Sequence, residues 1–178
     1  VGIDGGFMKD RGIQISELNS GCICCTLAGD FTKAIGELVE KYHPDRLIIE
    51  PSGVGKLSDI RRVVEQEEKE HGEIHLTGCA TIVDAGKCKM YLKNFAEFFI
   101  DQIKCAETVI LSRTQLVSEE KLEKAVELVR EQNADARLIT TPWDDITGQV
   151  IMDAIEHPTS LIDVDSVCPH HEHHHHHH

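Results

Sequence analysis

Basic side chains are scarce in this sequence of 178 residues: 18 lysines and arginines stand against 31 aspartates and glutamates, which gives a net charge of -13. A protein that holds nucleic acid through its phosphates needs a basic face, so this balance argues against a nucleic-acid partner. Long apolar runs are also missing, because no segment approaches the roughly 18 residues that a membrane-spanning helix requires. We therefore expect neither a nucleic-acid partner nor a membrane partner.

A secretory signal is absent from the first residues, since Val1-Gly2-Ile3-Asp4 shows no basic region followed by an apolar stretch. We expect a cytoplasmic protein. Hydrophobic residues make up 40% of the chain and charged residues 28%, which is enough apolar material for a buried core. The length suits one ordinary α/β domain and is short for two.

Short apolar runs alternate with helical patterns along most of the chain. Strands are predicted over 13–18, 46–50, 79–83, 108–111 and 137–140. Helices are predicted from an N-cap at Asp30 to Tyr42, from a cap at Ser58 to about Glu70, from Lys87 to about Phe99, from Ser118 to Gln132, and from about Asp144 to His157. This alternation predicts an α/β fold with a mostly parallel sheet and helices on both faces.

The helix predicted over 87–99 places Leu92, Phe95 and Phe99 on one face. In an open parallel sheet, ligands bind beyond the carboxyl ends of the strands. Four polar residues end or follow predicted strands, and they mark the region where chemistry is expected: Glu50, Asp84, Ser112 and Thr140.

The seven cysteines are unevenly placed, and three of them fall within Cys22-Ile23-Cys24-Cys25. Gly21 before them permits a turn that brings the sulfurs onto one centre. Thiolates suit zinc, and they also suit monovalent copper. Three sulfur ligands leave the fourth coordination position of the metal ion open. Such an incomplete site favours transfer of the metal over permanent binding. The scattered cysteines, Cys79, Cys88 and Cys105 among them, are expected to act as small hydrophobic residues, which are usually buried.

Other interpretations of the cysteines stay open. Cys22 and Cys25 also form a C-x-x-C pair, which is typical of dithiol oxidoreductases, although Cys24 lies between them. A non-enzymatic metal-binding module is a further hypothesis. In the last hypothesis, the protein is an α/β scaffold in which Cys22, Cys24 and Cys25 have no function.

Gly53-Val54-Gly55-Lys56 does not complete a P-loop, and no other segment of the 178 residues does. The motif G-x-x-x-x-G-K-[ST] requires a glycine where Glu50 stands and a serine or threonine where Leu57 stands. Glu50-x-x-Gly53 permits another interpretation, in which the carboxylate meets a hydrated magnesium ion and the Gly53 amide approaches a terminal phosphate. The alternative is that Glu50 is a solvated side chain.

Two segments together resemble the CobW family of P-loop GTPases, which is allied to the nickel-insertion GTPases of urease and hydrogenase. They are Glu17-Leu18-Asn19-Ser20-Gly21-Cys22-Ile23-Cys24-Cys25-Thr26-Leu27 and Arg46-Leu47-Ile48-Ile49-Glu50-Pro51-Ser52-Gly53. Thr81-Ile82-Val83-Asp84-Ala85 adds to the likeness, as does Asp101-Gln102-Ile103 leading into Val109-Ile110-Leu111. The resemblance covers residues 1 to about 157.

The resemblance implies a GTP-hydrolysing metal chaperone that carries zinc or cobalt to a client, either a metalloprotein or an enzyme of metal-cofactor synthesis. Cys22, Cys24 and Cys25 would hold the metal. Glu50 and Gly53 would form the catalytic switch that senses magnesium and phosphate.

The nucleotide-reading element implied by the resemblance is Ser112-Arg113-Thr114-Gln115, which aligns with the family's Asn-Lys-x-Asp. The family's aspartate accepts hydrogen bonds from guanine, whereas Gln115 offers an amide. The resemblance therefore leaves guanine specificity open at this position.

The family's P-loop and first strand precede the region of Val1–Asp4, so we expect this chain to be a fragment that does not hydrolyse GTP alone. Residues 1–160 are predicted to be a partial GTPase domain and residues 161–178 a linker with a histidine-rich tail. His173–His178 resembles a purification tag, and a native metal-binding tail is the alternative.

Overall fold

The computed structural model describes residues 28–158, apart from the side chains of Ala28 and Asp30. These residues belong to two compact units that divide between Ile48 and Ile49. The strand predicted over 13–18, the Cys22–Cys25 cluster and the predicted tail lie outside the described residues. None of the helices between residues 28 and 158 combines the length and hydrophobicity needed to cross a membrane.

The first unit contributes helix α1 (Ala28–Tyr42) to the described residues. The predicted helix is confirmed, and Phe31 and Ile35 from its apolar stripe are buried. The predicted N-cap is wrong, because the helix begins at Ala28 and Asp30 therefore lies in its first turn. At the other end His43 adopts a left-handed conformation with a φ of 44°, and its N–H donates to the carbonyl of Val39 at 2.9 Å. This arrangement is a common way to terminate a helix.

The second unit alternates helices and strands. In chain order they are α2 (Leu57–His71), β1 (Ala80–Asp84), α3 (Cys88–Asn94), α4 (Ala96–Cys105), β2 (Thr108–Ser112), α5 (Glu119–Gln132), β3 (Arg137–Ile139) and α6 (Gly148–Glu156). Two 3-10 turns, Thr114–Leu116 and Trp143–Asp145, follow β2 and β3. The predicted strands at 79–83, 108–111 and 137–140 are thus confirmed to within one residue at each end.

The three strands form a parallel sheet in the order β1-β2-β3, as predicted. Asp84 pairs with Ser112 at the carboxyl ends of β1 and β2. One face of the sheet packs on α3, α4 and α5 through a core that includes Val109, Leu111 and Ile103. Ile110 and Ile139 on the other face pack on Ala154 of α6. Helices therefore cover both faces, which confirms the α/β fold class.

The strand predicted over 46–50 is wrong. The sheet of the described residues contains only β1, β2 and β3, so residues 46–50 have no ladder partner in it. Ile48 is 76% exposed, whereas a strand inside a parallel sheet buries both of its faces. The apolar run is therefore not sufficient to make residues 46–50 a strand of the sheet formed by the described residues.

The single helix predicted over 87–99 is also wrong, because the chain breaks at Phe95 into α3 and α4. Phe95 has φ -136° and ψ 34°, which is not helical, and its side chain is exposed rather than aligned with the buried Phe99. Leu92 packs against the core as predicted. Because of the break, α4 is a separate helix that ends at Cys105.

Helix α6 lies very close to the chain that enters β1. A Cβ atom at Gly78 would overlap the backbone carbonyl oxygen of Ile155, so only glycine fits there. Beside it, the Thr108 hydroxyl donates to the carbonyl of Ala154 at 2.8 Å. The start of the sheet and α6 are thus fixed to each other by close backbone packing.

Candidate functional site

Residues 51–56, which we call the glycine loop, connect Glu50 to α2. Glu50 and Gly53, the two predicted catalytic residues, are both exposed. The Gly55 N–H donates to the carbonyl of Ser52 at 2.9 Å, which closes a tight turn. The Val54 N–H lies 3.4 Å from the Ser52 hydroxyl oxygen. The loop therefore has a defined turn although little of it is buried.

Gln102, which belongs to α4 and not to the glycine loop, forms hydrogen bonds with the loop. Its side-chain Nε2 donates to the carbonyl of Gly53 at 3.0 Å and to the carbonyl of Gly55 at 2.8 Å. The main-chain carbonyl of Gln102 accepts a hydrogen bond from the Thr81 hydroxyl of β1 at 2.7 Å. Carbonyls in the last turn of a helix lack intrahelical partners, and Thr81 supplies one. Gln102 thus joins the glycine loop to the sheet.

Asp101 caps α2, which corrects the predicted role of Ser58. Helix α2 begins at Leu57, so Ser58 lies inside its first turn and is not its cap. The Ser58 N–H donates to Asp101 Oδ2 at 3.1 Å, and its hydroxyl donates to Asp101 Oδ1 at 2.6 Å. A carboxylate near a helix N-terminus satisfies free N–H groups and interacts favourably with the helix dipole. The cap therefore comes from another helix.

Glu97 provides the third contact from α4. Its carboxylate lies 2.5 Å from the Lys56 Nζ, and this hydrogen bond and charge raise the pKa of Lys56. Both side chains are partly exposed, so water screens the pair. We call Glu97, Asp101 and Gln102 the α4 clamp, because all three side chains hold residues 53–58.

The second predicted group, Ser112–Gln115, begins at the last residue of β2 and forms what we call the edge loop. Arg113 adopts a left-handed conformation with a φ of 57°, and its Nη1 donates to Asp84 Oδ2 at 3.3 Å. The other oxygen of that carboxylate accepts the Gly86 N–H at 2.9 Å. The Ser112 hydroxyl lies 3.4 Å from the carbonyl of Val83. The edge loop is thus held by the end of β1.

Thr114 and Gln115 differ sharply in their surroundings. Thr114 is 6% exposed, and its hydroxyl has no hydrogen-bond partner within residues 28–158. A buried polar atom without a partner is unusual, and a ligand is one way to satisfy it. Gln115 is exposed. The predicted cofactor-binding residues therefore include a buried hydroxyl and a solvent-facing amide.

Thr140, which follows β3, lines a depression of about 390 Å³ with Glu119, Leu122, Glu123, Val126 and Glu127 of α5. Three glutamates would repel the phosphates of a nucleotide. This depression therefore does not extend the edge loop into a phosphate site.

The cysteines of the described residues are structural in character. Burial raises the pKa of the Cys79 thiol, and it raises the pKa of Cys88 to about 11. Both side chains are buried, as predicted, whereas Cys105 is half-buried. No group of three potential metal ligands occurs within the described part of the chain. Cys22, Cys24 and Cys25, the predicted metal ligands, lie outside it.

The two predicted groups on the described chain are both attached to β1. The glycine loop reaches Thr81 through Gln102, and the edge loop reaches Asp84 through Arg113. Three residues of a strand span about 10 Å, so the two attachments are close. Sequence reasoning missed the α4 clamp, although Asp101-Gln102-Ile103 stood among the segments that carry the family resemblance.

Comparison with known proteins gives a consistent group of relatives. The sequence model described as "CobW/HypB/UreG, nucleotide-binding domain" matches residues 1–140. The "Zinc-regulated GTPase metalloprotein activator 1" of Schizosaccharomyces pombe is 27% identical over 141 residues, which cover 77% of this chain and 34% of that protein. "Zinc chaperone YeiR" of Escherichia coli is 28% identical over 152 residues, or 85% of this chain and 46% of the relative.

"Zinc chaperone YjiA" of Escherichia coli is likewise 28% identical, over 151 residues that cover 82% of this chain and 46% of the relative. The chain thus spans less than half the length of these three relatives. No solved structure is significantly similar to it.

Proposed function

The chain belongs to the CobW/HypB/UreG family of nucleotide-binding domains, and on that premise we propose that it is part of a GTP-dependent chaperone that delivers zinc to a client protein. The names of the relatives support a metal-chaperone role linked to GTP. The client is a metalloprotein or an enzyme that builds a metal cofactor. Thiolate ligands stay reduced in the cytoplasm, which we propose as the location.

The proposed cargo site is the thiolate group of Cys22, Cys24 and Cys25. Three thiolates at one divalent ion leave a position for a ligand from the client, so the metal can pass by ligand exchange. Thiols must lose their protons to bind zinc, so affinity rises with pH. Zinc is the proposed physiological cargo, and cobalt is expected to bind the same sulfurs.

The proposed nucleotide site uses the two loops attached to β1. The Glu50 carboxylate would meet the magnesium ion through water, and the Gly53 amide would approach the terminal phosphate. Ser112, Arg113, Thr114 and Gln115 would face the base. Binding of Mg·GTP would lower the affinity for zinc, and by linkage zinc would lower the affinity for GTP.

These 178 residues alone are expected to hydrolyse GTP negligibly, because no segment among them forms G-x-x-x-x-G-K-[ST]. Residues outside the chain would then complete the phosphate site. GTP turnover by the isolated chain at the rate of a longer protein that includes the motif would contradict this.

The observation that supports the proposal most strongly is the range of residues that the family model matches. Residues 1–140 include the C-x-C-C motif, the glycine loop and the edge loop in one continuous match. A protein that used only the cysteines would not need the other two segments. Their combination supports metal transfer under nucleotide control.

The test is a metal titration of the chain without His173–His178, using a chromophoric chelator as competitor. We expect one zinc ion to bind, and Cys24→Ser to weaken it by about 100-fold, because one of three sulfur ligands is lost. Cys105→Ser is the matched control, since Cys105 lies outside the motif. Cobalt(II) provides a second readout through its thiolate charge-transfer absorption.

Two results would contradict the proposal. Wild-type affinity in Cys24→Ser would exclude Cys24 as a ligand and with it the proposed site of three thiolates. Loss of zinc binding on removal of the histidines, with all three cysteines present, would assign the metal to the tail. If the zinc affinity of the full-length protein is the same with and without Mg·GTPγS, the protein is a metal-binding module without nucleotide control.

A further inference from the structure

We propose that Gln102 is a positioning residue that sets the glycine loop for the terminal phosphate of the nucleotide, an inference that rests on the proposed function. Gln102 lies outside the loop and on a different helix. Its amide nitrogen carries two hydrogens, and the two carbonyls of Gly53 and Gly55 accept one each. A single side chain therefore fixes two peptide groups of the same turn.

The direction of these carbonyls decides the direction of the loop's N–H groups. The described residues contain no cis peptide bond. In a trans peptide the C=O and the following N–H point in opposite directions. Because the carbonyls of Gly53 and Gly55 face Gln102, the N–H groups of Val54 and Lys56 point away from it.

The turn itself orients a third N–H group. The Ser52 carbonyl accepts from the Gly55 N–H, so the Gly53 N–H points out of the turn. Backbone N–H groups directed outward from a short loop are suitable donors for phosphate oxygens. Gln102 thus takes the carbonyls of the glycine loop and leaves the N–H groups of Gly53 and Lys56 available, whereas the Val54 N–H lies against the Ser52 hydroxyl.

Gln102 is itself held firmly. Its main-chain carbonyl is bonded to the buried Thr81, and its neighbour Asp101 caps α2. By contrast, the loop it holds contributes little to the core, since Ser52, Gly53 and Val54 are all exposed. Removal of the Gln102 amide should therefore release the loop without unfolding the domain.

The first experiment measures hydrogen exchange of the Gly55 backbone amide, which donates to the Ser52 carbonyl and reports opening of the turn, in the 178-residue chain. Gln102→Leu removes the donors without a charge, and Gln102→Glu keeps the length but cannot donate when ionised. We expect exchange in the loop to accelerate about tenfold in both variants, because the turn opens more often. The thermal midpoint should stay within about 2 °C of wild type.

Gln149→Glu is the matched control for the first experiment. Gln149 of α6 donates its amide to Asp153 in an exposed hydrogen bond, so the same substitution also removes one hydrogen bond and adds one charge there. Exchange in the glycine loop should not change in this variant. Unchanged loop exchange in both Gln102 variants would overturn the inference.

The second experiment compares Mg·GDP and Mg·GTPγS affinity in the full-length protein with fluorescent nucleotides. Only the triphosphate reaches the glycine loop, so Gln102→Leu should weaken GTPγS by about tenfold and leave GDP within about twofold. General structural damage would weaken both. Equal loss of both nucleotides, or of neither, would overturn the inference while the proposed function stands. No preference for GTPγS in wild type would overturn the nucleotide switch itself.

Discussion

The sheet and the glycine loop are held in place by different forces. The sheet frame, by which we mean β1–β3 with α3–α6, depends on burial: Ile103, Val109 and Val129 are fully enclosed. The glycine loop has Val54 57% exposed and depends on polar contacts with the α4 clamp. One part of the molecule is thus fixed by many apolar contacts and the other by a few hydrogen bonds.

Apolar burial and hydrogen bonding differ in the stability they contribute and in how much of the structure is disturbed when one contact is removed. Burying a large aliphatic side chain contributes about 1.5–3 kcal/mol, whereas a typical hydrogen bond contributes about 1 kcal/mol net. A defect in the frame therefore disturbs the whole unit, and a defect in the clamp disturbs mainly the loop. A segment that must respond to a ligand can change conformation more easily when it is held by a few hydrogen bonds than when it is held by apolar burial.

The largest expected effect is the substitution of a glycine that packs against the frame. Gly78→Ala should destabilise the chain by about 3 kcal/mol, because the new methyl group overlaps the Ile155 carbonyl and α6 must move. Gly53→Ala should change stability by less than about 0.5 kcal/mol, because the added methyl meets open space. Urea denaturation measures both. Equal effects in the two variants would contradict the comparison.

A smaller effect is expected in thiol chemistry within the frame. Burial raises the pKa of Cys88 from its ordinary value of 9.0 to about 11. At pH 8 the native thiol should react with iodoacetamide about 100-fold more slowly than in urea, because the thiolate is the nucleophile. Mass spectrometry of the Cys88 peptide measures this, and equal rates in buffer and urea would refute it.

The same shift gives a pH dependence of stability. The folded pKa lies above the unfolded one, so the neutral Cys88 thiol supports folding fully below pH 9. That support is lost as the pH rises from 9 to about 11. Urea midpoints measured across this range should fall more steeply in wild type than in Cys88→Ala.

The smallest effect is expected at the clamp. Asp101→Ala should destabilise α2 by about 1 kcal/mol, because two hydrogen bonds from Ser58 to the cap are lost. Glu97→Ala, on the same helix, should produce no measurable change, since the Lys56 pair is exposed to water. Urea midpoints distinguish the two. A larger loss in Glu97→Ala would mean that the clamp depends on charge rather than on capping.

Strands β1, β2 and β3 were predictable because each is a short apolar run, although only β2 is buried along nearly its whole length and Ile82 of β1 is 62% exposed. Helix α5 was predictable because its apolar residues recur at helical spacing, and Ala125 and Val129 among them are buried. The run over 46–50 looks the same in sequence, yet a strand also needs a neighbour that no local pattern reveals. The break at Phe95 likewise escapes an analysis based on helical spacing.

The candidate site was predictable in position but not in its contacts. The edge loop follows β2 as expected from a strand end, and the pairing of Arg113 with Asp84 comes from the parallel register. The Asp101 cap joins residues 43 positions apart, and Gln102 reaches 49 positions back to Gly53. Such distances leave no periodic signal, so only the folded arrangement reveals them.

All three clamp side chains belong to one ten-residue helix, α4. Phe99 and Ile103 of the same helix are enclosed in the core, so apolar packing also aligns two carbonyls, a lysine and the beginning of α2. The glycine loop thereby inherits its placement from a core to which it contributes almost nothing itself.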